Sequence, residues 1–211
     1  MAQRAIHYLF GAILSEHIEI KDKKRFLMGH VFPDSIEKCN RDKAHFETIN
    51  DTQAYYDFED FRAKYLELMQ QDDFYLGYYM HLVEDDFYRE LIYRDRAGKA
   101  FSMDEVEILH KDYDLLNAYI VDKYVLENVL GKEFIFDATV FSKIGNFRIN
   151  EFLEEMSYDF IIKNKGTTIL LTEEMVDEFV EKYVPLAIEE LQAVKKGMTY
   201  LKASDYAWER E

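Results

Sequence analysis

Two pairs of histidine and aspartate residues have the spacing of metal ligands on a helix. His81 and Asp85 lie four residues apart, and His110 and Asp114 repeat this His-x-x-x-Asp arrangement further along the chain. Residues at positions i and i+4 of a helix share one face, so each imidazole and its carboxylate can contact the same ion. Imidazole and carboxylate together bind zinc, manganese or iron. The alternative for a single pair is an ordinary histidine that is hydrogen-bonded to a nearby acid.

Three further candidate ligands lie in the N-terminal part of the chain. His7 is surrounded by apolar residues in the first predicted helix, which favours either burial or metal ligation. Asp34 follows Pro33 directly, at a corner where a carboxylate can point inward, and His45 comes eleven residues later. In chain order, the candidate ligands are His7, Asp34, His45, His81, Asp85, His110 and Asp114.

The order of these ligands resembles that of the zinc-dependent phospholipase C family, which shares its fold with the fungal single-strand nucleases. In that family an early helix contributes a histidine, as His7 does here. The family also has a corner similar to the Gly-x-x-x-Pro-Asp segment at residues 29–34. A His-Phe pair that follows this corner is similar to His45 and Phe46.

The rest of the resemblance lies on two predicted helices. The family's helix with glycine, histidine and aspartate is similar to the segment from Gly77 to Asp85, and its last His-x-x-x-acid pair is similar to His110 and Asp114. Leu91 stands where family members usually have another histidine, so a ligand of a third ion is missing. The resemblance covers roughly residues 1–124. It implies one or two ions, zinc first, with iron or manganese as alternatives.

The resemblance also implies an activity, that of a metal-dependent phosphoric ester hydrolase. The substrate would be a small phosphoester or one of the phospholipid-headgroup type. Metal ions in such a site lower the pKa of a bound water and stabilise the charge of the transition state. His110 and Asp114 would hold a second ion, His7 would complete either position, and Asp34 would be a ligand or accept the proton of the water. The central ion would be held by Asp34, His45, His81 and Asp85.

Two other interpretations stay open at this point. A phosphohydrolase of the His-Asp domain type is also helical and metal-bound, but its hallmark is an adjacent histidine and aspartate, and no His-Asp dipeptide occurs in the chain. The second is a helical binding or scaffold protein that kept the fold without catalysis. The absence of a histidine at Leu91 supports this interpretation. The number of retained ligand positions speaks against it, because buried carboxylates without a partner are costly.

The positions next to these candidates have ordinary interpretations. Glu84 and Asp86 flank Asp85 and are interpreted as solvated. His30 is interpreted as a helix-end residue, with a supporting role behind the ligands as the alternative. His17 is expected to be exposed.

The elements that position the candidates are predicted to be helices of one all-α domain over residues 1–211. The metal-site helices occupy residues 1–124, and residues 125–211 form C-terminal helices of unassigned role. About seven helices are expected, packed as a bundle of the zinc-dependent phospholipase C type. The helix of His81 is expected to begin after Asp72 and Asp73 and to be ended by Gly98 near Arg96. Further helix starts are predicted after the capping residues Asp22, Asp57, Ser102, Asn150 and Thr172.

Irregular structure or short turns are predicted for residues 34–56, an irregular loop or short strand within 125–148, and extended chain at 167–171. Only 8 Gly and 2 Pro occur among 211 residues, and this scarcity of turn residues favours long helices. Hydrophobic residues make up 48%, which excludes intrinsic disorder.

The charge limits the partners. With 42 acidic and 26 basic residues, the net charge of −16 provides no basic face for nucleic acid and disfavours an anionic membrane surface. A single cysteine, Cys39, excludes an intrachain disulfide, and no apolar run is long enough to span a membrane. We therefore expect a cytoplasmic protein whose partner is a small-molecule or lipid-headgroup phosphoester.

Overall fold

Helices make up most of the chain in this computed structural model, which describes residues 2–94, 96, 101–136 and 138–209. Within these ranges the α-helices are α1 (Arg4–His17), α2 (Lys23–Val31), α3 (Arg41–Ala44), α4 (Phe58–Gln71), α5 (Asp73–Tyr93), α6 (Met103–Lys123), α7 (Ile149–Asp159) and α8 (Glu173–Lys195). A small antiparallel sheet has the strands β1 (Glu47–Asn50), β2 (Gln53–Tyr56) and β3 (Trp208–Glu209). The predominantly helical character predicted from composition is confirmed, and the sheet is an addition to it.

The central element is α5. Every residue from Phe74 to Tyr88 is buried, whichever side of the helix it lies on. A helix buried on all its faces must be enclosed by other elements, and α1, α2, α4 and α8 pack around it. Polar side chains between Phe74 and Tyr88 are therefore out of contact with bulk solvent and need partners inside the protein.

The closest approach in the core is between α2 and α5, at two glycines. A Cβ atom added at Gly29 would lie 1.9 Å from the carbonyl oxygen of Phe74, and one added at Gly77 would lie 2.0 Å from that of Phe26. Both distances are far below van der Waals contact, so only glycine allows the two backbones to touch here. The crossing places the end of α2 directly against the N-terminal part of α5.

Most of the predicted helix starts are correct. A capping side chain accepts a hydrogen bond from a backbone N–H group at Asp22, Asp57, Ser102 and Thr172. The prediction at Asn150 was wrong, because α7 already begins at Ile149, after Arg148, and has no side-chain cap. The predicted end of α5 near Arg96 was also late, since the helix ends at Tyr93, and Gly98 lies outside the described residues.

Residues 167–171 do not form the extended strand that their β-branched composition favours. The backbone N–H groups of Ile169, Leu170 and Leu171 instead donate to the carboxylate of Asp112 on α6, at 2.9, 2.6 and 2.9 Å. A buried carboxylate with three N–H donors holds a loop as firmly as a strand partner would. This part of the C-terminal region is therefore fastened to α6.

The long connection between α6 and α7 contains a 3₁₀ turn at Ala138–Phe141 and no strand of the sheet in its described part. Aromatic stacking fixes it to the core. The ring of Phe136 stacks on Phe74 at 4.1 Å between centroids, and Phe147 stacks on Phe32 at 4.3 Å. Such offset pairs stabilise beyond the area that they bury.

The β1–β2 hairpin is the element that the sequence did not reveal within residues 34–56. Its strands are four residues long, and Asp51 in the turn has a left-handed φ of 51°. The third strand comes from the C-terminal end, where Trp208 pairs with Ala54. The hairpin follows His45 directly and brings the ring of Tyr56 to 5.8 Å from that imidazole.

One cluster of buried apolar side chains includes residues from Ala2 to Ala203 and draws on both the 1–124 and the 125–211 parts of the chain. Among the described helices, none combines the length and apolar character that crossing a membrane requires.

The glycine crossing leads to a stability prediction. We expect Gly77→Ala to lower the free energy of unfolding by about 1 to 3 kcal/mol or more, because its methyl group would overlap a backbone carbonyl that cannot move alone. Thermal and urea unfolding followed by circular dichroism would measure this. Gly166→Ala is the control, since its methyl group would meet only the flexible end of Leu115 at 2.9 Å. Equal stability of the two variants would contradict the close crossing.

Candidate metal centre

Five of the seven predicted ligands meet in the interior. His7 comes from α1, Asp34 from the 3₁₀ turn that follows α2, and His45 from the end of α3. His81 and Asp85 come from the middle of α5, where their four-residue spacing places them on one face as predicted. All are buried except Asp34, whose side chain is 10% exposed.

Two of the imidazoles are oriented by backbone carbonyl groups. Nδ1 of His81 lies 2.8 Å from the carbonyl oxygen of His30, and Nδ1 of His45 lies 2.9 Å from that of Arg41. A carbonyl oxygen can only accept, so the proton of each ring is on Nδ1. Nε2 of each ring, the atom that faces the cluster, is left as the metal-binding atom.

The facing atoms have the separations of ligands around a common cation. Nε2 of His7 lies 3.5 Å from Asp34 Oδ2 and 3.5 Å from Asp85 Oδ1. Nε2 of His45 lies 3.4 Å from Asp34 Oδ1 and 3.5 Å from Asp85 Oδ2, and His81 Nε2 also lies 3.5 Å from Asp85 Oδ2. Donor atoms held about 2.0–2.1 Å from one tetrahedral ion are about 3.3 Å apart. The cluster therefore has nearly the dimensions of a ligand sphere.

The contacts within the cluster require a positive charge. Nε2 of His45 and Nε2 of His81 face each other at 3.0 Å, and with both Nδ1 atoms protonated this contact needs either a proton or a metal ion between the rings. Three more buried atoms have no hydrogen-bond partner among the described residues: His7 Nε2, Asp34 Oδ1 and Asp85 Oδ2. A divalent cation would satisfy all of them, so the residues present fit a metal centre.

The protonation states favour ligation. Burial, followed by repulsion from His81, lowers the pKa of His7 to about 3, so this ring is neutral at physiological pH. Burial by itself raises the pKa of Asp34, but the contact with His45 and the other imidazoles outweighs it and holds that pKa below its ordinary value. A neutral imidazole and an ionised carboxylate are the forms that bind metal.

Ligand atoms that lie within 4.8 Å of one another form three groups among the described residues. One group consists of His7, Asp34 and His81. Another consists of His45, His81 and Asp85, so the two have His81 in common. The third is His7, His30, Glu84. The carboxylates of Asp34 and Asp85 each direct one oxygen towards His7 and the other towards His45. Because a carboxylate in this position can contact one ion or bridge two, the first two groups could hold one ion or two.

Glu84 and Asp86 are fully buried, so their interpretation as solvated residues was wrong. Glu84 accepts hydrogen bonds from His7 and from His30, which is thereby more than a helix-end residue. The burial of α5 on every face is the signal that would have revealed this, because such a helix has no solvated side. His17 is exposed, as expected.

His110 and Asp114 do not join these groups. Both lie on α6 and are exposed, and they line the wall of a cavity that Asp34 also reaches. Their assignment to a second ion stays a prediction, and the described geometry provides them with no further ligand.

The cavity has a volume of about 630 Å³ and a mixed lining. Asp34 lines it together with the cations Lys38, Arg41 and Arg148 and with the acids Asp114, Glu151 and Glu155. Its apolar lining residues are Ile92, Phe101, Val106, Leu109 and Phe152. The centre thus opens into a space large enough for a small organic molecule.

A second, smaller cavity of about 240 Å³ lies on the other side of the centre. His45 and Tyr56 line it, together with Arg41 and Arg89. The guanidinium of Arg89 stacks on the ring of Trp208 at 3.7 Å, which holds it in place. Arg41 lines both cavities.

The two His-x-x-x-Asp pairs offer a matched test of the metal centre. We expect near-stoichiometric zinc, iron or manganese in the purified protein, measured by elemental mass spectrometry. The double variant His81→Ala, Asp85→Ala should lose the metal, because it removes two of the five converging donors. His110→Ala, Asp114→Ala has the same spacing on the next helix and should retain it. A wild-type protein that stays metal-free after dialysis against these ions would contradict the centre.

Comparison with protein-family models, with curated proteins and with solved structures found no match. The resemblance to the zinc-dependent phospholipase C family accordingly stays a prediction. The buried clusters of histidine and carboxylate that could bind a metal, and the cavity beside them, are the basis for the function of this chain.

Proposed function

We propose that this protein is a metal-dependent hydrolase that acts on a phosphoester. The observation that carries the proposal is the convergence of three imidazole Nε2 atoms and two carboxylates next to a cavity lined by cationic, acidic and apolar side chains. Zinc suits the histidine and carboxylate donors best, with iron or manganese as alternatives. One or two ions are consistent with the two ligand groups that share His81.

A divalent ion at this centre would supply an activated water and neutralise charge on the phosphoryl group. The protein's own contribution begins with Asp34, which lies where the centre meets the large cavity. Its Oδ1 has no hydrogen-bond partner among the described residues. This carboxylate is ionised at neutral pH, and its position beside the centre would allow it to accept a proton from a water that the ion has made more acidic.

The cations of the large cavity support an anionic substrate despite the acidic overall charge. Lys38 and Arg41 follow Asp34 closely in the chain, and Arg4 and Arg148 line the same cavity. Arg4 pairs with Asp159 at 2.8 Å, and Arg148 pairs with Glu151 at 2.8 Å. We assign Lys38 and Arg41 to the phosphoryl oxygens, because both line the cavity together with Asp34.

The apolar lining residues of the cavity support an organic group on the ester. Ile92, Phe101 and Leu109 lie in the same cavity as the cations, so a phosphoester with an apolar alcohol would bury its charged end near the ions and its apolar end against α6. Such a division of one pocket is typical of sites that orient an amphipathic ligand.

Hydrolysis of p-nitrophenyl phosphate and bis(p-nitrophenyl) phosphate tests the reaction class. We expect turnover that requires zinc, iron or manganese and that stops on chelation. In His81→Ala, Asp85→Ala, kcat/KM should fall at least about 100-fold, because Lewis-acid stabilisation is worth several kcal/mol. His17→Ala, at an exposed position, should be unchanged. Metal-loaded protein that cleaves neither these compounds nor a panel of phosphomonoesters and phosphodiesters would favour the non-catalytic binding protein instead.

The substitution Asp34→Asn separates the two roles of this carboxylate. We expect the variant to keep its metal, since four other donors remain, while kcat falls by about 100-fold or more through loss of the proton acceptor. Elemental analysis and steady-state kinetics on the same preparation measure both. Loss of the metal together with the activity would identify Asp34 as a ligand and remove it from the role of base.

A further inference from the structure

Glu84 is a buried carboxylate that the proposed reaction does not use. It is 0% exposed, and a single oxygen, Oε2, accepts both of its side-chain hydrogen bonds. His7 donates from Nδ1 at 2.9 Å, and His30 donates from Nε2 at 2.7 Å. The other oxygen, Oε1, has no hydrogen-bond partner among the described residues. The carboxylate thus lies directly behind a candidate metal ligand.

The distances identify Glu84 as a hydrogen-bond acceptor and not as a ligand. Donor atoms around one tetrahedral ion are about 3.3 Å apart, and the contacts of Asp34 and Asp85 with the imidazoles are 3.4 to 3.5 Å. The contacts of Glu84 are shorter and match N–H···O hydrogen bonds. The group formed by His7, His30 and Glu84 therefore lies behind the metal centre and is not a second centre.

The hydrogen bond decides which nitrogen of His7 faces the cluster. With its proton on Nδ1 and directed at Glu84, the ring presents Nε2 to Asp34 and Asp85. His45 and His81 are oriented by carbonyl groups, which are neutral. His7 is the one ligand imidazole among them that is held by a carboxyl group. Burial, followed by repulsion from Asp85 and Asp34, raises the pKa of Glu84 well above its ordinary value, and carboxylate–imidazole pairs of this kind raise the basicity of the metal-binding nitrogen.

His30 connects this arrangement to the rest of the centre. Its backbone carbonyl accepts from Nδ1 of His81, and its side chain donates to Glu84, which holds His7. A Cβ atom at Gly11 would lie 3.0 Å from Cγ of His30, so the glycine on α1 leaves room for the ring. Two ligand histidines on different helices are thereby oriented through one residue.

We infer that Glu84 is the positioning residue of the metal centre: its carboxyl group fixes the tautomer of His7, and a divalent cation bound beside it would favour its ionised form and be held more tightly for it. The inference rests on the metal centre of the proposed function but not on the reaction. A carboxylate excluded from water interacts strongly with a nearby cation, and burial disfavours its charge unless such a cation is present.

The experiment compares Glu84→Gln with Glu190→Gln by competition between the protein and a zinc chelator of known affinity. Glu190 is an equally buried glutamate on α8 that accepts from the hydroxyl of Tyr79 and from two backbone N–H groups. We expect zinc affinity to fall by about 10- to 100-fold in Glu84→Gln, and to stay within about threefold of wild type in Glu190→Gln. Equal affinities of wild type and Glu84→Gln would overturn the inference.

A second measurement uses the wild-type protein and does not depend on the folding of a variant. In ¹⁵N NMR spectra of the zinc-loaded chain, His7 should show a protonated Nδ1 and a metal-bound Nε2. The reverse tautomer would overturn the inference even if Glu84→Gln does not fold. If the wild type binds no zinc, the proposed function fails and takes this inference with it. If it binds zinc regardless of Glu84, only the inference fails.

Discussion

The contact between the backbones of α2 and α5 is the constraint on which the rest of the structure depends. Gly29 and Gly77 carry no Cβ, so each can lie against a carbonyl group of the opposite helix. This approach allows the carbonyl of His30 to accept a hydrogen bond from the ring of His81. The candidate ligands of α5 and the turn that contains Asp34 are brought together by it. Side chains of ordinary size at the crossing would separate these groups by several ångströms and leave no common site.

The interior that results from this crossing is unusually polar for a protein core. Glu84, Asp85 and Asp86 are consecutive and fully buried, and each carboxylate removed from water loses hydration that only hydrogen bonds or a cation can replace. Several of their oxygens have no hydrogen-bond partner among the described residues. Apolar residues at these positions would give a more stable helix bundle. Buried carboxyl groups concentrated in this way are typical of a site at which function is served at the expense of local stability.

The parts of this structure that depend on local sequence could be predicted. The spacing of His81 and Asp85 determines a shared face, and Asp57 or Ser102 caps a helix through atoms three residues away. The order of the ligands predicted the convergence of His7, Asp34 and His45, although periodicity alone could not. The assignment of Glu84 failed because its partners are distant in sequence, 77 residues away for His7 and 54 for His30.

The same reason explains the unpredicted sheet. Strands of four residues are too short for alternation to distinguish them from a loop, and their third partner, Trp208, lies at the other end of the chain. His110 and Asp114 show what spacing leaves open. Their spacing is identical to that of His81 and Asp85, but the face of α6 on which they lie is turned to a solvent-exposed cavity wall. The spacing of two residues in a helix determines whether they share a face. It does not determine whether that face packs against the core or is exposed to solvent.

The ligands also differ in the kind of backbone that supports them. His81 and Asp85 belong to a 21-residue helix enclosed on all sides, whereas Asp34 lies in a 3₁₀ turn and His45 caps a helix of four residues. Short elements open by local fluctuation far more readily than enclosed helices. A bound ion would therefore act as a cross-link that ties the segment between residues 32 and 46 to the buried part of α5. Binding of the ion would stabilise the closed form of that segment against local opening. Amide hydrogen exchange should therefore slow on metal binding in that segment, and not in α5.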